Sequence, residues 1–340
     1  MTADALRVTA YLGERDRVGG AFLADELVAL YARHGVATSI VLRGAEGFGA
    51  RHGLRTDLLL TLSEDLPVVS VAVDERARIE ALLPELDALR RAGLVTVEGT
   101  RLRTAGPAEV PDEPSAGAVR LTVFVGRGQR AAGRAAHVAV VDAMHASGVA
   151  GATVLVGVDG TAGAVRRRAR FFGRNADVPA VVVGVAEGEV LAPALDAVRT
   201  VVPDAVMTID AVQLCKRDGE RLAEPRLAGE GRQRLTVVCS EQARAGEVPL
   251  YRALVRRLRA EGAAGATALR GQWGYHGDHA PHGDRLWSVR RRVPVVTSVV
   301  DTAERTARWW AIADELTGRT GLVTVEDGLS VRPAPRHSGS

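Results

Sequence analysis

Cysteine is nearly absent: Cys215 and Cys239 are the only two in 340 residues, and neither belongs to a CxxC pair. That excludes a disulfide framework and fits a reducing compartment, so the expected location is cytoplasmic. Excess charge is also missing. Forty-four Lys and Arg stand against 41 Asp and Glu, leaving +3, too little over this length for a nucleic-acid footprint. No apolar run approaches the roughly 18 residues of a membrane span. Met1 to Val8 carries Asp4 and no run of signal-peptide type. Enzyme signatures are lacking too. There is no GxSxG, P-loop lysine motif or HExxH, and Gly126-Arg127-Gly128 with Gly133 misses the dinucleotide spacing.

What is present is repetition. Arg7-Val8-Thr9 opens a stretch ending Val41-Leu42-Arg43-Gly44, and Arg234-Leu235-Thr236 opens one ending Ala268-Leu269-Arg270-Gly271. Pro67 and Asp74 fall on Pro294 and Asp301 at the same shift, and Gly93 to Glu98 matches Gly321 to Glu326 one residue later. A middle copy shows Arg120 to Val123, Gly148 to Leu155, and Met207 to Asp210 in the corresponding places. The chain therefore reads as three copies of one unit, at 6–102, 119–214 and 233–329, overriding the length prior of about two domains. The connectors 103–118 and 215–232, rich in Pro, Gly and charge, support those borders.

Within a unit the pattern is βαββαβ. In the first copy a strand over 6–12 precedes an apolar face of Leu23, Leu27, Leu30 and Tyr31, with Gly35 as C-cap. Strands follow at 36–42 and, from Pro67, at 68–73. Asp74 is placed to cap a second helix with the face Ile79, Leu82, Leu83, Leu86 and Leu89, and a fourth strand spans 94–97. This order is the split βαβ, ferredoxin-like arrangement. The third strand is apolar almost without interruption in every copy, as in Val68-Val69-Ser70-Val71-Ala72-Val73. A sheet wet on one face would alternate, so both faces are expected to be covered, helices on one side and another sheet on the other. The connection from Gly44 to Leu66 is long for a hairpin, a length usually tied to function.

The first copy, with LRGAEGFG at 42–49 and LSEDLPV at 62–68, resembles the family catalogued as domain of unknown function 190 (DUF190). That family looks like a branch of the PII-like signalling proteins, trimers of ferredoxin-like subunits. The match is close over 6–98, recognisable over 234–326 and faint over 120–210. The resemblance implies an α+β chain of three tandem ferredoxin-like units packed as a single-chain PII-like pseudo-trimer, monomeric as a molecule. It also implies effectors held in clefts between units, with the long loop touching ligand or partner.

The candidate ligand residues follow from that expectation. Arg43, Gly44, Glu46, Gly47, Phe48 and Gly49 could form an amide nest with a guanidinium for phosphate or carboxylate, or merely a shaped loop in which Arg43 pairs with Glu46. The third copy keeps Arg270, Gly271 and Gly274 around Gln272, Trp273 and Tyr275; the second has Gly157-Val158-Asp159-Gly160 without the arginine. The resemblance also directs attention to the turn before the last strand. It offers Arg90 and Arg91 in copy one and Gly318, Arg319 and Gly321 in copy three, readable equally as helix ends with favourable cations. Copy two has Val202-Pro203-Asp204-Ala205 there. The cleft between copies one and three, lined by Arg43 and Arg319, is the expected anion site.

Two further clusters stand apart. Arg166-Arg167-Arg168 with Arg170 and Arg174 around Phe171-Phe172 is either a phosphate- and base-contacting patch or a solvated loop facing acidic neighbours, and Arg290-Arg291-Arg292 reads alike. His276, His279 and His282, near Asp278 and Asp284, have the chemistry of metal ligands, but on a loop broken by Gly277, Pro281 and Gly283. The leading reading is a non-enzymatic PII-like regulator of a small anionic effector, nucleotides included, with a membrane channel or transporter or a soluble target protein as partner. The alternatives are a metal-binding protein using the histidine loop and a hydrolase of a phosphorylated small molecule.

Overall fold

Along Leu6 to Leu12 the side chains alternate: Leu6, Val8, Ala10 and Leu12 face one way, Arg7, Thr9 and Tyr11 the other. The strand they form, β1 (Thr2–Gly13), leads through a short hairpin at 17–22 into α1 (Leu23–Arg33). Then come β2 (Thr38–Arg43), β3 (Glu46–Phe48), β4 (Pro67–Glu75), α2 (Arg76–Leu89) and β5 (Leu94–Arg103). The second repeat has β6 (Ala118–Gly126), α3 (Ala136–Ala146), β7 (Gly151–Val156), β8 (Asp159–Ala162), β9 (Pro179–Glu187), α4 (Gly188–Val201) and β10 (Val206–Arg217). The third has β11 (Arg232–Ser240), α5 (Leu250–Ala260), β12 (Ala266–Arg270), β13 (Trp273–His276), β14 (Pro294–Thr302), α6 (Ala303–Leu316) and β15 (Leu322–Arg332). This computed structural model describes residues 2–49, 53–56, 65–89, 93–103, 117–162, 165–169, 178–226, 231–276, 281–283 and 293–332. Together the elements make a mixed α+β structure with a large antiparallel sheet.

Register fixes the topology of each repeat. β1 lies between β4 and β5, and β2 pairs with the far side of β4, so the order is β5-β1-β4-β2, all antiparallel. The same order recurs in the second and third repeats. Leu23, Leu27, Leu30 and Tyr31 of α1 and Ile79, Leu82 and Leu86 of α2 close one face of that sheet with Val8, Val68 and Ala72. Asp74 does not cap α2 in the expected way. Its carboxylate accepts from the Ala37 backbone N–H at 2.7 Å and pairs with Arg78 at 3.0 Å, tying the start of β2 to the end of β4.

The other face of β4 is also buried. Val69 and Val73 join Ile40, Leu42, Phe124, Leu155 and Val181 in a core shared between repeats. In the second repeat Val182 faces that repeat's own helices, and Val181 and Val183 face the shared core.

Two sets of strand exchanges join the repeats in a closed cycle. β3 of the first repeat pairs with β12 of the third, β13 of the third with β7 of the second, and β8 of the second with β2 of the first. The last strands join in the opposite sense: β5 ends on β10, β10 ends on β15, and β15 returns to β5 through Ser330↔Val97. Among the described residues, strand pairing therefore closes each place where one repeat meets the next. The long connection after Gly44 begins with a strand, Glu46–Phe48.

Candidate functional site

Each exchange strand is reached through the spacing Gly-x-x-Gly: Gly44 and Gly47, Gly157 and Gly160, Gly271 and Gly274. At the second glycine the neighbouring backbone lies almost in contact. A Cβ on Gly160 would sit 2.2 Å from the Ser39 carbonyl oxygen, and one on Gly274 2.2 Å from that of Ala152; their φ values of 156° and 151° suit glycine. Gly47 meets Ala266 in the same way at 2.5 Å. Gly44 donates its N–H to Pro67, and Ala45 donates to Ala268 of the third repeat at 2.8 Å. These amides are thus engaged in strand pairing.

The side chains between the glycines give each seam its own chemistry. Glu46 is fully buried and pairs with Arg252 of α5 at 3.2 Å, not with Arg43. Phe48 enters the core of the third repeat. At the equivalent places Trp273 and Tyr275 pack on the second repeat's core, whereas Asp159 and Thr161 meet the first repeat through polar groups. Thr161 hydrogen-bonds Ser39 at 2.9 Å, and Arg166 bridges Asp159 and Asp25 of α1. Arg168 also pairs with Asp25 at 3.2 Å. Arg166 and Arg168 therefore face acidic neighbours, while Arg170, Phe171, Phe172, Arg174 and Arg290 to Arg292 lie outside the described residues.

The remaining sequence candidates separate between two seams. Arg43 is half exposed and pairs with Glu14 at 3.0 Å; its counterpart Arg270 pairs with Glu241 at 2.7 Å. The turn Gly318-Arg319 lies against Gly219, whose Cβ would be 2.7 Å from the Gly318 carbonyl, and Gly321 accepts from the Asp218 N–H. Arg319 thus belongs to the seam between the second and third repeats, and Arg43 to that between the first and third. The expectation that they share one cleft is corrected: a glycine strand and the basic turn nearest it come from the same copy. Arg90 and Arg91 lie outside the described residues. Gly271 approaches Thr153 of the second repeat. His276 is buried on β13, with Nδ1 3.2 Å from Asp218; His282 pairs opposite Gly274, and His279 is not described. Among the described residues no group of three His, Cys, Asp or Glu is placed to hold a metal ion. Burial pushes the Cys215 and Cys239 thiols up to about 12, unsuited to nucleophilic work.

At the seam between the first and third repeats a cleft of about 230 Å³ opens. Phe48 and Gly49 form one wall, at the point where the long connection departs, and Gly93 and Leu94 of the basic turn form another. The third repeat supplies Gly265 to Thr267 and Arg232. Arg232 pairs with Asp301 at 3.2 Å and keeps 41% of its side chain exposed. Sequence reasoning missed it because it sat at the border of a connector.

A second missed group lies where the three repeats meet. Arg7, Arg120 and Arg234 occupy one position in β1, β6 and β11, each directly across from its own repeat's acid, Glu98, Asp210 or Glu326. Each arginine also reaches the next repeat's acid. Arg7 pairs with Asp210 at 2.7 Å, Arg120 with Glu326 at 2.5 Å and Arg234 with Glu98 at 3.0 Å. All but Arg120 are buried, and Arg120 is nearly so. Burial raises Glu98 and Glu326 above the ordinary carboxylate range, although Arg234 pulls both down. Burial by itself would weaken Arg234's hold on its proton, but Glu98 and Glu326 outweigh it and the guanidinium stays charged.

Comparison with known proteins agrees with the repeats. The DUF190 family (Uncharacterized ACR) matches three times, at residues 5–102, 118–214 and 232–328. A UPF0166 protein of Aquifex aeolicus (strain VF5) is 32% identical over 80 residues, 23% of this chain and 73% of that protein. An aspartate kinase from Synechocystis aligns over 96% of this chain at 13% identity and a TM-score of 0.28. The chain spans only 44% of that kinase, a likeness too distant to carry any argument. No helix among the described residues is long and apolar enough to cross a membrane.

Proposed function

The chain belongs to the DUF190 family, three copies of it in tandem, and from that premise we propose that it is a PII-like regulatory protein that binds a small anionic effector between its repeats. The architecture in this reading is a single-chain pseudo-trimer of ferredoxin-like units. The strand order within each repeat and the closed cycle of exchanges between them support it. The effector site is the cleft between the first and third repeats. The observation that carries this choice is convergence: the root of the long connection, the Gly93 turn and the half-buried Arg232 meet there. In the sequence Arg90 and Arg91, outside the described residues, immediately precede that turn, and Arg43 precedes the glycine strand. A phosphate-bearing molecule, nucleotides included, suits such a set. The seam with Arg270, Gly271, Gly318, Arg319 and Gly321 is a second, weaker candidate, because Asp218 and the hairpin around it cover that turn. At the third seam Asp159 and Asp25 already engage Arg166 and Arg168, and it serves as scaffold. The long connections would then carry the signal to a soluble target protein or to a membrane channel or transporter.

The test is calorimetry with ADP, ATP and inorganic phosphate on the whole chain. A charge-assisted hydrogen bond contributes about 1.5–3 kcal/mol, so Arg232→Ala and the Arg90→Ala/Arg91→Ala pair should each weaken binding roughly tenfold or more. Arg43→Ala should weaken it less, since Glu14 already engages that side chain. Arg319→Ala should change nothing. Loss confined to Arg319→Ala would move the site to the other seam, and no binding of any probe would end the effector reading.

A further inference from the structure

The inward faces of β1, β6 and β11 repeat one pattern three times, an arginine, a threonine and a larger apolar group at alternate positions. The third member is Tyr11 in the first repeat and Phe124 in the second, but Val238 in the third. All three of these side chains line a cavity of about 150 Å³. Its body is apolar, walled by Leu42, Val71, Leu155, Val183 and Leu269 from the three sheets. Its polar end is the ring of Arg7, Arg120 and Arg234 with Glu326. Past Val238 and its strand partner Leu322 it continues to Gly151 and His276, at the seam between the second and third repeats.

We propose that this axial cavity binds a small, uncharged, largely apolar molecule of about the size of benzene or phenol. An apolar void of such a size accommodates one molecule of that kind. The polar end sets the charge. Three guanidinium groups already face three carboxylates, so a charged guest would bring an unpaired charge into a buried setting. One hydrogen-bond acceptor on the guest is accommodated, because Arg7 Nη1, buried, has no hydrogen-bond partner among the described residues. The cavity adjoins the seam cleft, sharing Tyr11 and Ser298 as walls, but its occupant does not depend on the effector reading.

Phenol, benzene and benzoate titrated into the full chain, followed by NMR and calorimetry, test the proposal. The unaltered protein should bind phenol and benzene saturably, with benzoate at least tenfold weaker. Val238→Phe restores the residue type of the second repeat and fills the void, so it should weaken phenol and benzene at least tenfold. Val238→Ala should retain both. Xenon-pressurised crystals of the unaltered chain give a readout independent of any variant, with a xenon atom expected against Val238. The proposal is overturned by an absence of saturable binding, by benzoate binding as tightly as phenol, by affinities unchanged in Val238→Phe, or by ordered waters filling the cavity without displacement by xenon.

Discussion

Replacing Arg234 by methionine removes one spoke of the axial ring while keeping a long, apolar side chain in its place. Glu98 then loses contacts at 3.0, 3.1 and 3.2 Å, and among the described residues its remaining ion pairs are with Arg7 at 3.6 Å and Arg120 at 3.9 Å. Glu326 is less affected, because Arg120 still holds both of its oxygens at 2.5 and 2.6 Å. A buried carboxylate without its partner takes up a proton. Starting from an unfolded value of about 4.3, that step costs about 3.7 kcal/mol at pH 7 and about 1 kcal/mol at pH 5, which are upper bounds on the deficit because Glu98 is already raised in the parent. The range expected for breaking a buried ion pair, about 3–5 kcal/mol, agrees at neutral pH. The sign follows from linkage. Glu98 is raised by burial in the parent and raised further in the variant, so the stability tied to its protonated form is lost as pH rises through that raised value. Urea unfolding of Arg234→Met beside the parent at pH 5, 6, 7 and 8 should therefore show a deficit that widens with pH. A deficit independent of pH, or larger at pH 5 than at pH 7, would refute the reasoning.

Two further predictions concern the seams. Phe48→Ala should destabilise the chain by about 3–5 kcal/mol in denaturant titrations, as for other buried aromatics, because Phe48 sits in the third repeat's core. Thr161→Ala at the equivalent place removes one hydrogen bond and should lower stability by only about 0.5–1.5 kcal/mol, because the Ser39 hydroxyl still accepts from the Thr161 backbone N–H at 3.0 Å. Gly274→Ala should lower the thermal midpoint clearly, since its Cβ would collide with the Ala152 carbonyl, whereas Gly49→Ala, with nothing within 4 Å, should leave it unchanged.

These cases also show what could be read from the sequence. Helix faces such as Leu23, Leu27, Leu30 and Tyr31 announce themselves by periodicity, and the valines of β4 announced a strand covered on both sides. Both are local signals. The pairing of Glu46 to Phe48 with Ala266 to Ala268 is not local, because its partner lies more than two hundred residues away and three glycine-rich residues look like any loop. The axial ring was visible in another form. Arg7, Arg120 and Arg234 recur in the three openings, and Glu98, Asp210 and Glu326 in the three closings. A charged residue kept at one inward position of three diverged copies marks a shared centre, but only once the face it occupies is known. The cleft residue Arg232 gave no such mark, since its counterparts differ in the other copies.

The claim on which the rest depends is that three repeats complete one another within a single chain. Sedimentation velocity over a wide concentration range tests it most directly. The account predicts one species at the chain mass of 35.9 kDa throughout, with the frictional ratio of a compact particle. A species of three times that mass persisting on dilution, or a 35.9 kDa species as extended as three separate beads, would contradict it.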